Sequence, residues 1–356
     1  MPVLYFDTTK ASRQGHKSGL NRVSASLLGE LGSMEGLSCR PVRWSTRRRG
    51  YVEVATRRPV GKGETGDAFF TPEVFALRER PFSRTWLKRF RGRRAVVFYD
   101  AIPFYHPETT WPRSVRRFPR WFADLEAYDR VLFISGAARD SAREVSRRTG
   151  LKEPEGPVLR LGADYRRIPP ERREGGGGDP VLLSVGILEP RKGQQLLLDV
   201  CEGLWSRGQA FKLVLLGRIN PHFGKALHGE VKRLQALGRD LVHEAGAGDD
   251  RLAYWHGQAT LVVQPSRAEG FGLPVLEALW AGCPVACTRQ PCLEAFGEPM
   301  EGLQVIDPLG AAPLREVIEG VVREKGRGRK RPEGAVREQL PTWRASAEAL
   351  ADTLYA

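Results

Sequence analysis

Four charged residues in the second half of the chain have types and a spacing that suit chemistry on an anionic ligand. Arg191 and Lys192 are adjacent cations after a short apolar run, and seven residues, including Gly-Phe-Gly-Leu-Pro, separate Glu269 from Glu277. Two fixed cations can neutralise a diphosphate, and a carboxylate can bind a pair of vicinal hydroxyl groups. A single glutamate near a helix start could merely complement the helix dipole, but that does not account for the pair.

The two glutamates belong to a predicted strand, loop and helix. A short apolar run typical of a buried strand stands on each side, and Pro274 and Gly282 suit a helix start and a helix stop. We therefore expect Glu269 in a glycine-flanked loop and Glu277 in the first turn of the helix. The N-terminus of such a helix presents backbone N–H groups and a positive dipole end, which favours a diphosphate ligand.

These motifs carry a resemblance to a known family. The segment from Ser266 to Val285 resembles the Glu-x7-Glu signature of retaining glycosyltransferases with the GT-B fold, which use nucleotide sugars. Val181–Gly193 and Leu213–Arg218 resemble the first strands and the basic loop of the family's donor domain. Val96–Pro103 and Val131–Ser135 resemble strands of its acceptor domain. The resemblance implies an α/β protein of two Rossmann-like, doubly wound domains that face a cleft.

The resemblance also implies roles for individual residues. Arg191, Lys192 and Glu269 would carry catalysis, the two cations by contacting the phosphates and the glutamate beside the sugar ring. Glu277 would bind the ribose. The implied donor-binding residues are Gly186, Arg191, Lys192, Gly217, Glu269, Gly270, Phe271, Gly272, Leu273 and Glu277. The implied acceptor-side residues are Gly19, Asn21, Arg22, Tyr99 and Asp100.

Two features of the implied site concern proton and metal chemistry. Many relatives have a histidine where this chain has Tyr99, so proton shuttling by a histidine at this position is excluded. Retaining relatives are thought to pass the acceptor proton to the leaving phosphate oxygen, which needs no histidine. No Asp-x-Asp pair stands where it could hold a divalent ion at the diphosphate. We therefore expect no metal and no cofactor, with the nucleotide diphosphate sugar as donor substrate.

A stretch rich in glycine and proline, residues 166–180, predicts a linker between two domains. Residues 1–165 are expected to bind the acceptor, with a loop that ends at Arg22 before the first helix. Residues 181–341 alternate predicted strands and helices, which is typical of parallel βαβ units, and are expected to bind the donor. Residues 342–356 predict a helix that returns to the first domain.

The charge of the chain is concentrated in its first half. Residues 1–165 hold 31 Lys and Arg against 18 Asp and Glu, whereas the remainder holds 25 against 24. Such an excess indicates a negatively charged partner, unless an arginine-rich genome accounts for it. Arginines alternate with aromatics in Pro81–Arg94 and Trp111–Phe122, which favours an anionic membrane surface over nucleic acid, with ordinary surface helices as the alternative.

Other features bound the class of protein. No apolar run approaches the ~18 residues that a membrane span requires. The first residues lack the pattern of a secretory signal, and the five cysteines are scattered. We expect a cytoplasmic protein with reduced thiols, either free or bound peripherally to the inner membrane.

The sequence thus predicts a retaining, metal-independent hexosyltransferase. It would move a sugar from a nucleotide diphosphate sugar to a glycan or lipid-linked acceptor, in the assembly of bacterial surface polysaccharide such as lipopolysaccharide. Two alternatives stay open. One is a nucleotide-sugar 2-epimerase on the same fold, against which the missing histidine counts. The other is a nucleic-acid-binding protein that uses the basic half, which the intact charged motifs make less favoured.

Overall fold

The chain forms two compact units in the computed structural model. The described residues are 2–12, 19–164, 178–294, 296, 300–324 and 334–355. Unit 1 comprises Met1–Gly162 and Pro341–Ala356, and unit 2 comprises Ala163–Leu340. The predicted linker lies largely outside the described residues.

Unit 1 contains a six-stranded sheet in the order β3-β2-β1-β4-β5-β6, parallel except for the edge pair β2–β3. Its strands are β1 (Val3–Asp7), β2 (Ser38–Ser45), β3 (Gly50–Glu53), β4 (Ala68–Thr71), β5 (Arg93–Phe98) and β6 (Arg130–Phe133). Its first helices are α1 (Gly19–Gly32), α2 (Ser83–Arg89), α3 (Ile102–Tyr105), α4 (Pro112–Asp124) and α5 (Gly136–Thr149). The central strands are apolar and buried on both faces, as parallel strands require.

Unit 2 contains a fully parallel sheet in the order β12-β11-β10-β7-β8-β9. Its strands are β7 (Val181–Val185), β8 (Lys212–Leu216), β9 (Leu241–Glu244), β10 (Leu261–Gln264), β11 (Val285–Thr288) and β12 (Leu303–Ile306). Its helices are α6 (Gln194–Ser206), α7 (Gly224–Ala236), α8 (Asp249–Gln258), α9 (Leu273–Trp280), α10 (Pro291–Glu294), α11 (Ala311–Arg323) and α12 (Gly334–Gln339).

The last helix, α13 (Trp343–Tyr355), belongs to unit 1. The Ser346 hydroxyl donates a hydrogen bond to the Arg160 carbonyl at 2.7 Å, and an Arg93 guanidinium nitrogen donates to the Thr353 carbonyl at 3.2 Å. Unit 1 is therefore built from two separate stretches of sequence. In the part of the chain that the structure describes, no helix combines the length and the apolar character needed to cross a bilayer.

Two aromatic residues of 81–94, Trp86 and Phe90, pack into the core of unit 1, whereas Phe82 is exposed. Trp86 stacks on Phe90 with ring centroids 5.2 Å apart, and Trp86 also packs edge-on against Phe69 and Tyr51. The interpretation of this segment as a lipid-facing surface is therefore wrong for Trp86 and Phe90. Their spacing reflects the inward face of α2 and its following loop, not a membrane surface.

Each sheet has a switch point, where successive connections leave the first strand on opposite sides. In unit 1 it lies between β1 and β4, and in unit 2 between β7 and β10. Ligands of doubly wound folds bind beyond the carboxyl ends of the strands at such points. These two places are therefore where functional side chains are expected.

The switch point of unit 1 contains a buried ionic network. The Asp7 carboxylate pairs with Arg80 and accepts hydrogen bonds from the Thr71 hydroxyl at 2.9 Å and the Tyr51 hydroxyl at 3.2 Å. Arg80 also pairs with Glu73, whose other oxygen accepts from the backbone N–H groups of residues 10 and 11. The network fixes the segments that follow β1 and β4.

Candidate active site

Hydrogen bonds join the ends of β7 and β10 and the segments that follow them. The Gln264 side-chain amide donates to the Val185 carbonyl at 3.0 Å, and the Arg267 backbone N–H donates to the Arg191 carbonyl at 2.8 Å. Gly193 has a left-handed φ of +71°, and a Cβ there would lie 2.1 Å from the Pro265 carbonyl oxygen. Only glycine fits at this position, and its presence lets the two segments meet.

Three of the predicted charged residues meet at this contact. The Lys192 ammonium lies 2.6 Å from Glu269 Oε1, and Arg191 Nη1 lies 3.4 Å from Glu269 Oε2. Arg191 Nη1 also donates to the Ala268 carbonyl at 2.6 Å. Arg191 and Lys192 sit on a 3-10 turn, Pro190–Lys192, directly after β7, and Glu269 follows β10. The switch point of unit 2 thus places two cations against one carboxylate.

The electrostatics of the cluster keep Glu269 ionised. Burial alone would raise the pKa of Glu269, but the cations of Lys192 and Arg191 lower it to about 2. The side chains of Lys192, Glu269 and Arg191 are exposed by 10%, 12% and 15%. A ligand can therefore reach these three charged groups, although little water surrounds them.

Two further residues of the site were missed at the sequence level. Glu189 Oε1 accepts from Arg191 Nη2 at 2.8 Å and from its Nε at 3.2 Å. Glu189 Oε2 accepts from the Asn220 amide at 2.9 Å. Asn220 follows β8 and precedes Pro221, which indicates only a turn. The sequence feature that could have indicated Glu189 is its position two residues before Arg191, within Glu-Pro-Arg-Lys.

The predicted glycines line the strand ends and the start of α9. Gly186 follows β7 and Gly217 follows β8, and a Cβ on Gly217 would lie 1.9 Å from the Gly186 carbonyl oxygen. Gly270 lies in the loop before α9, and Gly272, with a φ of +83°, caps its N-terminus. Leu273 is the first residue of the helix.

The Phe271 side chain is buried and packs edge-on against Phe296, with ring centroids 5.9 Å apart. This contact anchors the glycine loop through an apolar side chain. Phe271 can therefore contribute to a donor site only through its backbone or through the position of the loop.

The predicted place of Glu277 needs a correction. It is the fifth residue of α9 and lies in the second turn, and the first turn contains no acidic residue. The helix begins at Leu273, one residue before Pro274, so the glutamate falls further along than Pro274 alone indicated. Glu277 is buried, and a favourable interaction with the dipole of the first turn therefore does not account for it.

The predicted acceptor-side residues lie in unit 1. Gly19, Asn21 and Arg22 form the first turn of α1, so the expectation that they end a loop is wrong. The Tyr99 hydroxyl is buried and donates to the Pro72 carbonyl at 2.7 Å, and burial raises the pKa of Tyr99. The Asp100 carboxylate accepts from the Ile102 N–H at 3.0 Å at the start of α3.

No group of three or more His, Cys, Asp or Glu side chains that could hold a metal ion occurs among the described residues. The Lys192–Glu269–Arg191 cluster places two side-chain cations where a diphosphate is expected. Metal independence stays a prediction.

Comparison with solved structures identifies the fold. Sucrose-phosphate synthase of Thermosynechococcus elongatus superposes with a TM-score of 0.72 and 16% identity, over 99% of this chain and 98% of the other. Anabaena HepE, solved in complex with UDP and glucose, gives 0.62 and 14%, over 100% and 96%. The chain therefore has the two-domain α/β fold of GT-B glycosyltransferases.

Comparison with sequences finds related proteins. Residues 169–307 match the model of glycosyl transferases group 1. The serotype-specific mannosyltransferase WbdA of Escherichia coli is 24% identical over 325 residues, covering 83% of this chain and 40% of the relative. A D-inositol 3-phosphate glycosyltransferase of Arthrobacter is 34% identical over 146 residues, covering 39% and 34%. The chain spans about two fifths of the length of WbdA.

Proposed function

We propose that this protein is a glycosyltransferase that takes a sugar from a nucleotide diphosphate sugar. The observation that carries the proposal is the meeting of Arg191, Lys192 and Glu269 at the switch point of unit 2. The fold neighbours support this donor class, because HepE was solved with UDP and glucose and a trehalose-6-phosphate protein of E. coli with UDP-2-fluoro glucose.

The cluster suits the departure of a diphosphate. Negative charge grows on the leaving phosphate as the bond to the sugar breaks, and the cations after β7 stabilise that charge. Glu269 stays ionised at neutral pH because its pKa is about 2, so it can accept hydrogen bonds from sugar hydroxyl groups. Glu277 would bind the ribose hydroxyls. Retention would follow if the leaving phosphate oxygen takes the acceptor proton on the same face of the sugar.

The acceptor is proposed to be a glycan or a lipid-linked glycan of the bacterial surface. The support comes from the relatives: WbdA is a serotype-specific mannosyltransferase, and another match is a lipopolysaccharide 1,2-N-acetylglucosaminetransferase of Salmonella typhimurium. Mannose and N-acetylglucosamine donors are therefore the first to test.

The test is a thermal-shift panel of UDP, GDP and ADP with their common sugar conjugates, with and without excess chelator. A nucleotide at 100 times its Kd should add about 2.7 kcal/mol of stability. Stabilisation by one base, undiminished by chelator, is the expected result. No response to any nucleotide would contradict the proposal, and a strict need for magnesium or manganese would contradict the predicted metal independence.

A second proposal concerns the basic half and an anionic membrane surface. Arg113, Arg116 and Arg120 are exposed and spaced to share one face of α4, and exposed Trp111 precedes this helix. Among the described residues, none of these three arginines forms an ion pair with a carboxylate within 4 Å. Unpaired cations beside an exposed indole suit a headgroup boundary.

Liposome co-sedimentation tests this surface. Arg113, Arg116 and Arg120 replaced together by Gln should weaken binding to anionic vesicles, and rising salt should release the wild type because the Debye length shrinks to ~3 Å at 1 M. The matched control replaces the exposed arginines 139, 143 and 147 of α5, which removes the same charge. Equal loss in both variants, or equal binding to neutral vesicles, would contradict a specific surface.

A further inference from the structure

The guanidinium of Arg191 is used mainly within the protein. Its Nε and Nη2 donate to Glu189 Oε1, and its Nη1 donates to the Ala268 carbonyl and approaches Glu269. The backbone carbonyl of Arg191 accepts from the Arg267 N–H as well. The residue thus connects the segment after β7 to the loop that presents Glu269.

Glu189 also accepts a hydrogen bond from the segment that follows a third strand, β8. Its second oxygen accepts from the Asn220 amide at 2.9 Å. The Asn220 side-chain oxygen accepts from the N–H groups of His222, at 2.9 Å, and Phe223, at 3.3 Å, in the turn that leads into α7. Both ends of the Asn220 side chain are therefore used, and its amide nitrogen points at Glu189.

Lys192 differs from Arg191 in how it is held. Its ammonium meets Glu269 at the end of a flexible four-carbon chain, whereas the planar guanidinium of Arg191 is fixed on two edges by hydrogen bonds. A phosphate can therefore become an alternative partner of the lysine ammonium. Moving Arg191 would break its bonds to Glu189 and to the loop after β10.

We propose that Asn220 and Glu189 are positioning residues that hold Arg191 as a strut, which sets the place of Glu269 and leaves Lys192 as the main phosphate contact. This inference rests on the proposed function and deepens it. It assigns the two adjacent cations different tasks, and it gives roles to an acid and an amide that the signature motif does not contain.

The experiment separates nucleotide binding from turnover. Asn220→Asp keeps the side-chain oxygen that caps the turn but removes the donor and sets a carboxylate against Glu189. Glu189→Gln keeps the shape and removes the charge that orients Arg191. Lys192→Ala tests the phosphate contact, and Glu230→Gln, which breaks an exposed pair with Arg233 on α7, is the control. The probes are UDP and GDP in calorimetry, and slow release of the diphosphate from their sugar conjugates without acceptor.

In Asn220→Asp and Glu189→Gln we expect nucleotide Kd within about threefold of the wild type, together with at least a tenfold lower kcat and little change in KM for donor hydrolysis. Lys192→Ala should weaken nucleotide binding at least tenfold, and Glu230→Gln should change neither property. Nucleotide Kd raised as much in Asn220→Asp as in Lys192→Ala would overturn the inference. So would an unchanged kcat in both positioning variants. A wild type that binds none of UDP, GDP and ADP in the thermal-shift panel would refute the proposed function itself.

Discussion

The two switch points carry similar charges in different surroundings. At the first, two carboxylates share Arg80, and the side chains of Asp7 and Arg80 are exposed by 0% and 5%. At the second, Glu269 faces two cations, and each of these side chains keeps at least 10% exposure. In the first network, the carboxylates accept hydrogen bonds from hydroxyl and backbone groups of the protein itself. The second leaves an ammonium group that a ligand can recruit.

The comparison shows that a cluster of opposite charges at a functional edge does not by itself identify a ligand site. Charges that are removed from water and have their partners inside the protein hold the loops in place, whereas partly hydrated charges on flexible side chains are available to a substrate. Removing Arg80 should therefore reduce stability at the first site, and removing Lys192 should reduce ligand affinity at the second.

The largest expected effect follows from Arg80→Ala. This change leaves the buried Asp7 and Glu73 carboxylates without their shared cation, which should cost about 3–5 kcal/mol of unfolding free energy. Urea unfolding measures it. A loss below about 1 kcal/mol would show that the network does not stabilise unit 1.

The next effect concerns Lys192→Ala, which should weaken nucleotide diphosphate binding by about 1.5–3 kcal/mol because one charge-assisted contact is lost. Calorimetry measures the affinity, and Glu73→Gln in unit 1 is the control that should leave it unchanged. Equal losses in the two variants would remove the distinction between the sites.

The pH dependence of stability should separate the two carboxylates. Burial and the neighbouring Asp7 raise the pKa of Glu73 to about 7 against the effect of Arg80, whereas the pKa of Glu269 is about 2. A raised pKa stabilises the fold below the unfolded value of 4.5, and this stabilisation is lost as pH rises through 7. A lowered pKa stabilises the fold above 4.5, and this is lost as pH falls toward 2.

Unfolding free energies measured from pH 3 to 8 test both signs. Glu73→Gln should remove a fall on the order of 1–3 kcal/mol between about pH 4.5 and 7. Glu269→Gln should instead flatten the loss below about pH 4.5. The same change in slope for both variants would mean that the two environments do not differ.

The smallest effect is expected at exposed ion pairs. Arg40 pairs with Glu53 at 2.9 Å and Lys212 pairs with Asp240 at 2.6 Å, one pair in each unit, and in both pairs water reaches the charges. Arg40→Gln and Lys212→Gln should each cost less than about 1 kcal/mol in urea unfolding. A larger cost would show that the number of ion pairs, not their burial, decides the outcome.

The charged site of unit 2 could be predicted from the sequence because each of its motifs directly follows an apolar run that predicts a strand. Arg191 and Lys192 follow one apolar run, Glu269 follows another, and the carboxyl ends of parallel strands meet at one edge. The family resemblance then indicated that the Arg191–Lys192 motif and Glu269 belong to one site. The meeting of Lys192 with Glu269 is the physical result of β7 lying beside β10.

The residues that were missed depend on contacts between distant positions. Arg80 lies 73 positions from Asp7, and Asn220 lies 31 positions from Glu189. Nothing in the local pattern distinguishes such an arginine from the solvated ones around it, because only the packed sheet removes it from water. The short strands β2 and β4 are hard to predict for the same reason, because their pairing with β1 joins positions that are distant in the sequence.

The place of α13 has a consequence for the order of events during synthesis. Every residue of unit 2 leaves the ribosome before α13 does, although unit 1 begins the chain. Domains generally acquire structure as their sequence becomes complete, N-terminal first. We expect the reverse order here, because the sequence of unit 2 is complete before that of unit 1. A chaperone that binds the growing polypeptide would therefore meet unit 1, the basic half, before its sequence is complete.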